Sequence, residues 1–165
     1  MNQPQEFLLS LLKSKEGHKI TGKKRVHKTI QLMKYSKVEI EADFRILHYG
    51  PYSYEVADAI EELVVLGKVT EKEEPILNFF QSTFSLHDEL SGVDDLGERE
   101  RKLFEVIDAR PTLILEVAST IAFYEDEEGC SREEAIDKTK YLKPTKTEDS
   151  VLSKAKELLE ELNKT

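Results

Sequence analysis

The sequence of 165 residues contains one cysteine, Cys130, so no intrachain disulfide can form. Chains without disulfides are typical of reducing compartments, and we expect a cytoplasmic protein. A single cysteine is also too few for a zinc knuckle, and nothing near it in the sequence supplies the base that a cysteine nucleophile requires. These features exclude a disulfide-stabilised secreted domain and predict an inert thiol.

Long apolar runs are absent as well. No stretch approaches the roughly 20 consecutive apolar residues that a membrane-spanning helix requires. The N-terminus, residues 1–6, lacks the basic segment and the small-residue cleavage site of a secretory signal. We therefore expect no association with a membrane.

Signals of catalytic chemistry are few. The seven glycines are scattered and form neither a phosphate-binding loop nor a dinucleotide fingerprint. The four histidines are far apart, with no pair at the three- or four-residue spacing that places two metal ligands on one helix face. We expect no catalytic residues, no metal site and no cofactor, and hence a protein that is not an enzyme. The alternative is an enzyme whose site is assembled from distant residues without a local motif.

Basic residues are outnumbered, 24 against 33 acidic ones, and they are unevenly distributed. Residues 1–50 carry ten of the basic side chains and five of the acidic ones, which gives this part a net charge of +5 and the rest of the chain −14. Such a basic block on an acidic chain is the usual electrostatic footprint of a nucleic-acid-binding surface. The alternatives are pairing with the acidic half of the same chain, or a basic surface that is simply solvated.

The basic block includes a predicted helix that starts after Thr21 and ends near Tyr35. Val26, Ile30 and Met33 form its buried stripe, because they recur at helical spacing. The lysines off this stripe predict a basic outer face. The candidate nucleic-acid-binding residues are Lys19, Lys23, Lys24, Arg25, Lys28 and Lys34.

The other elements predicted for the N-terminal half are a helix, a half-buried strand, a capped third helix and a β-hairpin. The first helix is predicted from apolar residues at helical spacing, and the strand from the strict alternation of apolar and polar residues. The third helix is predicted from a capping serine, and the hairpin from two further strand-like runs. Their bounds are 5–13 for the helix, 38–46 for the strand, 53–66 for the third helix, and 68–72 with 76–86 for the hairpin. On the third helix we expect Ile60, Leu63 and Val64 to be buried.

A polar connector at residues 87–96 precedes a part of the chain that is predicted to be helical throughout. The four helices predicted there span 97–108, 112–124, 131–141 and 148–162. We expect a winged-helix-like or Panacea-like lobe at 1–88 and a helical lobe at 89–165, or else one compact domain. The predicted fold class is α+β, mostly α, with a small antiparallel sheet in the N-terminal helical lobe and a helical C-terminal lobe.

Aromatic residues crowd the turn between the predicted strand and the third helix. Tyrosine and arginine dominate the energetic hot spots of protein interfaces, so this turn is a candidate contact surface. The candidate partner-binding residues are Arg45, Tyr49, Tyr52 and Tyr54. The alternative is that the tyrosines pack the turn onto the core.

Three segments together carry a resemblance to a known family. They are ITGKKRVHK at residues 20–28, the box Gly-Pro-Tyr-Ser at 50–53, and LGKV at the end of the third helix, 66–69. In this order they resemble a group of small uncharacterised bacterial and archaeal proteins that are distantly related to the Panacea domain of SocA-like antitoxins. The resemblance covers about residues 5–90. It implies a helical module that is not an enzyme and that acts through contacts with other macromolecules.

The third helix and the hairpin after it are also similar to the end of a winged-helix domain, in which the helix enters the major groove of DNA. Two features depart from that fold. A strand separates the second helix from the third, and the third helix carries only acidic charges, which would repel phosphates. If DNA binds, the second helix is therefore the better candidate.

Two functions follow as hypotheses from these patterns. The first is a regulatory or binding protein that contacts nucleic acid through residues 13–37. The second is an antitoxin-like protein-interaction module whose contact surface is the aromatic turn together with the third helix. A homodimer is a further expectation for either.

Overall fold

Helices and strands alternate in the N-terminal half of the protein, and its C-terminal half is helical. The computed structural model describes residues 1–47, 49–87 and 92–165. Its α-helices and strands are, in chain order, α1 (Gln3–Ser14), β1 (Lys19–Thr21), α2 (Lys23–Tyr35), β2 (Arg45–Leu47), β3 (Gly50–Tyr52), α3 (Tyr54–Val65), β4 (Val69–Ile76), β5 (Phe79–Leu86), α4 (Glu98–Asp108), α5 (Thr112–Asp126), α6 (Arg132–Leu142) and α7 (Asp149–Lys164), with a short 3-10 helix at Glu16–His18. The predicted fold class, α+β and mostly α with a small antiparallel sheet, is confirmed.

Strand β1 completes a three-stranded antiparallel sheet with the hairpin β4–β5. Strand β5 is central, since its Phe84 lies opposite both Ile20 of β1 and Glu71 of β4. The sequence pattern missed β1, because three residues with one buried side chain are too few to show alternation. With β1 in place, the N-terminal half has the order helix, strand, helix, hairpin, helix, hairpin. Residues 36–53, which include the first of these hairpins, form an insertion between α2 and α3.

The first part of this insertion shows that the strand predicted at 38–46 is largely wrong. Even-numbered residues from Val38 to Phe44 are buried and the residues between them are exposed, so the alternation itself is real. Within the described ranges, however, no strand pairs with this stretch before residue 45. Its backbone instead bonds to the side chain of Gln3, which donates to the carbonyl oxygen of Glu39 (2.8 Å) and accepts from the N–H of Glu41 (2.9 Å). The alternation of buried and exposed residues here belongs to an extended segment that packs on the core without pairing as a strand.

A short hairpin, β2–β3, forms the second part of the insertion. Pro51 lies opposite Ile46 in its register, so the Gly-Pro-Tyr-Ser box, which the sequence placed in a turn, contributes a strand. A proline fits here because both strands of a two-stranded hairpin are edge strands. His48, at the predicted turn, lies outside the described residues.

Helix α5 lies at the centre of the apolar core. Ten consecutive residues, 114–123, are buried, which means that the helix is covered on all sides. Helix α2 packs against α5 from the N-terminal half, and α6 and α7 pack against it from the C-terminal half, so one apolar core is continuous between the halves. Residues 88–91 of the predicted connector lie outside the described residues. Although α5 is apolar, neither it nor another helix in the described ranges is both long and apolar enough to cross a membrane.

Candidate functional site

The side chain of Lys28, predicted to lie on a basic outer face of α2, is buried. It is 2% exposed, and its Nζ donates a hydrogen bond to the carbonyl oxygen of Pro51 at 2.8 Å. The hairpin β2–β3 packs against this side of α2, because the insertion before α3 folds back over the helix. The prediction that Lys28 belongs to an outer face is therefore wrong.

Lys28 belongs to a buried polar cluster together with Glu116 of α5 and Lys143, and the partly exposed Lys146 lies at the edge of this cluster. The Glu116 carboxylate accepts hydrogen bonds from Lys143 Nζ (2.8 Å) and Lys146 Nζ (2.9 Å). Burial lowers the pKa of Lys28 to about 7; the charge of Glu116 opposes this shift, and that of Lys143 adds to it. Burial by itself would raise the pKa of Glu116, but the two lysine hydrogen bonds hold it below its ordinary value.

Gly50 allows the hairpin to approach this cluster closely. Its φ is +97°, a conformation that side chains with a Cβ rarely adopt. A Cβ at this position would lie 3.0 Å from Thr120 Oγ1 and 3.6 Å from Lys143 Nζ. The glycine of the Gly-Pro-Tyr-Ser box is therefore required by the contact with α5.

Arg25 and Lys34 are also turned toward the protein. Arg25 donates hydrogen bonds to the carbonyl oxygens of Asp108 and Arg110, both at 2.9 Å. Lys34 Nζ donates to the carbonyl oxygen of Ala42. These two candidate nucleic-acid-binding residues are half-buried and bonded within the chain: Arg25 joins α2 to the connection between α4 and α5, and Lys34 joins α2 to the insertion.

Three of the six candidate nucleic-acid-binding residues, Lys19, Lys23 and Lys24, are exposed near the N-terminus of α2. Lys23 Nζ lies 3.7 Å from the Glu71 carboxylate, and Lys24 Nζ lies 4.0 Å from the ring centre of Tyr49. The basic surface is therefore smaller than the sequence predicted, and one of its lysines has a carboxylate beside it.

Three of the four candidate partner-binding residues, Arg45, Tyr52 and Tyr54, contribute to a row of stacked side chains. The Arg45 guanidinium lies 5.1 Å from the ring centre of Tyr54. The rings of Tyr54 and Tyr52 pack edge to face, with 5.3 Å between their centres. Tyr52 stacks on His27 of α2, with 4.3 Å between the ring centres. Tyr49 and Tyr54 are about half exposed, so the alternative that all three tyrosines pack into the core is wrong for these two.

No sequence motif singles out His27, which lies next to the buried stripe of α2 and is 4% exposed. Its Nδ1 accepts a hydrogen bond from the Ser53 N–H at 3.2 Å. Burial, together with the nearby charge of Lys28, lowers the pKa of the ring to about 4. The ring is therefore neutral at physiological pH and carries its hydrogen on Nε2. Within the part of the chain that the structure describes, no residue bonds Nε2, and that atom is not sealed from solvent.

His27 and Tyr52 line a groove between α2, α3 and the hairpin β4–β5. Its volume is about 480 Å³, in the size range of ligand-binding sites. Its apolar lining consists of Ala57, Ile60, Val64, Val65 and Phe84. Its charged lining consists of Lys23, Glu61 and Glu71. Because Ile60 and Val64 are only half-buried at this groove, the predicted burial on α3 is confirmed for Leu63 alone.

The outer face of α3 continues this groove across the surface. A shallower furrow shares Glu61 and Val65 with the groove, and Val65 is 82% exposed. Helix α3 contains no lysine or arginine. Its acidic residues are Glu55, Asp58, Glu61 and Glu62. Helix α3 thus presents negative charge and apolar side chains to the solvent.

Comparison with protein families found none that matches the chain. Among curated proteins, the chain is similar to the uncharacterized protein YwgA of Bacillus subtilis (strain 168), with 27% identical residues over 125 positions. The similarity covers 73% of this chain and 75% of YwgA. The resemblance to the Panacea domain therefore remains a prediction, and the geometry of α3 and its groove carries the functional argument.

Proposed function

We propose that the protein is a cytoplasmic, non-catalytic interaction module that binds another protein through α3 and the adjoining groove. The observation that carries the proposal is the composition of the α3 surface, which combines four carboxylates with exposed apolar side chains and has no basic residue. When a recognition helix enters the major groove of DNA, it lies between two phosphate backbones. The carboxylates of α3 would be repelled there, whereas a protein surface can match them with basic side chains.

Apolar side chains next to these carboxylates favour a protein as the partner. Val65 and Leu66 are exposed at the end of α3, and the half-buried Ile60 and Val64 lie beside them on the same helix. A contiguous apolar surface with a polar rim is typical of protein-interaction sites. The row of stacked aromatic side chains that includes Tyr54 lies at the other end of α3 and extends the surface available to a partner.

The proposal is tested by a photo-crosslinking amino acid placed at position 65. In cells of the organism that encodes the chain, we expect a covalent adduct with one other protein. The same amino acid at position 156, where Lys156 is exposed on α7, is the matched control and should give no such adduct. Equal adducts at both positions, or none at position 65, would contradict the proposal.

A second candidate function is nucleic-acid binding through Lys19, Lys23 and Lys24. The N-terminus of α2 favours it, because Gly22 caps this helix without a side-chain hydrogen bond and leaves N–H groups available to an anion. The inward orientation of Arg25, Lys28 and Lys34 argues against it, since three of the six predicted contacts are lost.

A salt titration with fluorescent duplex DNA separates the two functions. Three phosphate contacts give a log–log slope of about −2.7, and Lys23→Gln combined with Lys24→Gln would reduce its magnitude by nearly two. The proposed function predicts no salt-dependent binding even at low ionic strength. Binding with the expected slope would instead favour the second candidate.

A further inference from the structure

We infer that the groove between α2, α3 and the hairpin β4–β5 binds a basic amphipathic segment of the partner protein. An apolar side chain of this segment lies on the groove floor, and a backbone or side-chain oxygen accepts a hydrogen bond from Nε2 of His27. The inference rests on the proposed function. It adds which part of the surface makes the contact and which chemistry the partner supplies.

The hydrogen-bond donor of His27 is the first reason. The side chain of His27 is 4% exposed, and its Nε2, which is open to solvent at the groove, has no acceptor within the described ranges and is available to a ligand. The Ser53 N–H occupies Nδ1, so the ring cannot change tautomer without losing that bond. Because the ring is neutral, it offers one directed donor and no positive charge. Such a donor suits a carbonyl oxygen of a peptide better than a phosphate.

The floor of the groove is the second reason. Ile60 and Val64, one helical turn apart on α3, line the groove together with Phe84 of the central strand. A volume of about 480 Å³ accommodates a few side chains but not a folded domain. The apolar floor therefore fits an anchoring side chain of a partner segment, which would remove this surface from water.

The charges around the groove determine which segment fits. The charged residues that line the groove are two glutamates, Glu61 and Glu71, and one lysine, Lys23, whose Nζ lies 3.7 Å from the Glu71 carboxylate. Asp58 and Glu62 add two carboxylates along the furrow that continues over α3. The lining is therefore acidic, and a segment with lysine or arginine residues is the complementary partner.

The continuity of groove and furrow favours a peptide segment over a small molecule. The two depressions share Glu61 and Val65, so acidic and apolar side chains alternate along the α3 surface beyond the reach of one small ligand. An amphipathic helix or extended segment can place an apolar anchor in the groove and basic side chains along the furrow.

The experiment is a selection of random 12-residue peptides on the immobilised full chain. We expect the selected peptides to be basic and to contain at least one large apolar residue. A synthetic peptide with the consensus sequence is then titrated by fluorescence anisotropy, and its affinity should fall as salt rises. In a protein with isotope-labelled histidines, the Nε2–H signal of His27 should shift on binding. Selected peptides that are neutral or acidic would overturn the inference.

Matched variants locate the binding site. Glu61→Gln should weaken the consensus peptide about two- to fivefold, as expected for one exposed ion pair. Val65→Ser should weaken it further, since this exposed side chain contributes to both depressions. The controls are Glu157→Gln on α7 and Leu77→Ser at the tip of the hairpin β4–β5; both positions are exposed and lie outside the groove, and neither change should alter the affinity.

The failure of this inference can be distinguished from the failure of the proposed function. If the adduct forms at position 65 but the peptides bind without moving the His27 signal, the inference fails and the proposed function stands. If no adduct forms at position 65, the proposed function fails, and the inference fails with it. If the adduct is a second copy of the chain, the partner segment named here is wrong.

Discussion

The ammonium group of Lys28 donates a hydrogen bond to the carbonyl oxygen of Pro51 inside the protein, between α2 and the hairpin β2–β3. An ionised lysine removed from water is unfavourable unless other groups compensate it. Here Pro51 supplies an acceptor, and Glu116 is the carboxylate that offsets the charge. The bond holds the Gly-Pro-Tyr-Ser box against α2, and thereby positions Tyr52 and the start of α3 at the groove.

Replacing Lys28 by methionine should change how stability depends on pH. The pKa of Lys28 is about 7 in the folded protein and near its ordinary value of 10.5 in the unfolded chain. Between these values the unfolded chain binds a proton that the folded protein does not, so Lys28 makes the free energy of unfolding rise with pH. The contribution is about 1.4 kcal/mol per pH unit at its steepest, and Lys28→Met removes it. Urea denaturation of both proteins between pH 6 and pH 10 measures the effect, and a pH-independent difference would contradict the burial of this charge.

The ring of His27 should remain neutral well below the pH at which an ordinary histidine ionises. Its pKa is about 4 in the folded protein against 6.5 in the unfolded chain. As the pH falls from 6.5 to 4, the unfolded chain gains a proton first, so His27 destabilises the fold progressively over this range, by about 3 kcal/mol in total. NMR spectra of the ring nitrogens should show the neutral tautomer with its hydrogen on Nε2 from pH 8 to pH 5. A titration midpoint near 6.5 would disprove this assignment.

Replacing Glu116 by glutamine should destabilise the protein strongly. The substitution leaves the lysines around position 116 with no buried negative charge, and we expect a loss of about 3–5 kcal/mol. Lys143→Met in the same protein should restore part of this loss, because it removes one of the charges left uncompensated. Chemical denaturation measures both effects, with Glu157→Gln on the exposed face of α7 as a control that should stay within about 0.5 kcal/mol of the wild type. A loss at position 116 as small as that of the control would show that the carboxylate does not balance these lysines.

Replacing Leu77 by glycine should stabilise the hairpin β4–β5. Leu77 is the first residue of a two-residue loop, has a φ of +54° and is 94% exposed. A positive φ costs a residue with a Cβ about 1–2 kcal/mol, and glycine avoids this cost while losing more backbone entropy on folding. The expected net gain is about 0.5–1 kcal/mol, measured as a higher thermal midpoint. Leu77→Ala keeps the Cβ and is the matched control; an equal gain from alanine would mean that the exposed leucine, and not its φ, is responsible.

Local patterns predicted most helices well. Ser53 caps α3 as its sequence position indicates, and the four C-terminal helices begin and end within about two residues of their predicted bounds. These elements combine helical spacing of apolar residues with a clear end signal, such as a capping serine or a proline. Both are properties of neighbouring residues, so they can be read without knowledge of the fold.

The candidate site could not be predicted in the same way. Apolar residues that recur about every 3.6 positions identify one buried stripe on α2. This helix is also covered on a second side, by the hairpin β2–β3 and by α5. Lys28 is buried by residues 23 and 88 positions away, Pro51 and Glu116, and no pattern within α2 reports them. His27 likewise acquires its donor role only when Ser53 reaches its ring. The groove exists because three elements that are separate in the sequence meet beside α3.

The position of α5 has a consequence for how the protein unfolds. Its buried surface is shared by α2 and the hairpin β2–β3 on one side and by α6 and α7 on the other, so neither half can lose α5 without exposing apolar side chains. We therefore expect a single cooperative transition in calorimetry, with equal van't Hoff and calorimetric enthalpies, although the predicted boundary divides the chain near its middle. A chain ending near residue 88 would leave Lys28 without its carboxylate and Gly50 without the helix against which it packs. The hairpin β2–β3, which positions the start of α3, thus depends on α5, a helix that contributes no residue to the lining of the groove.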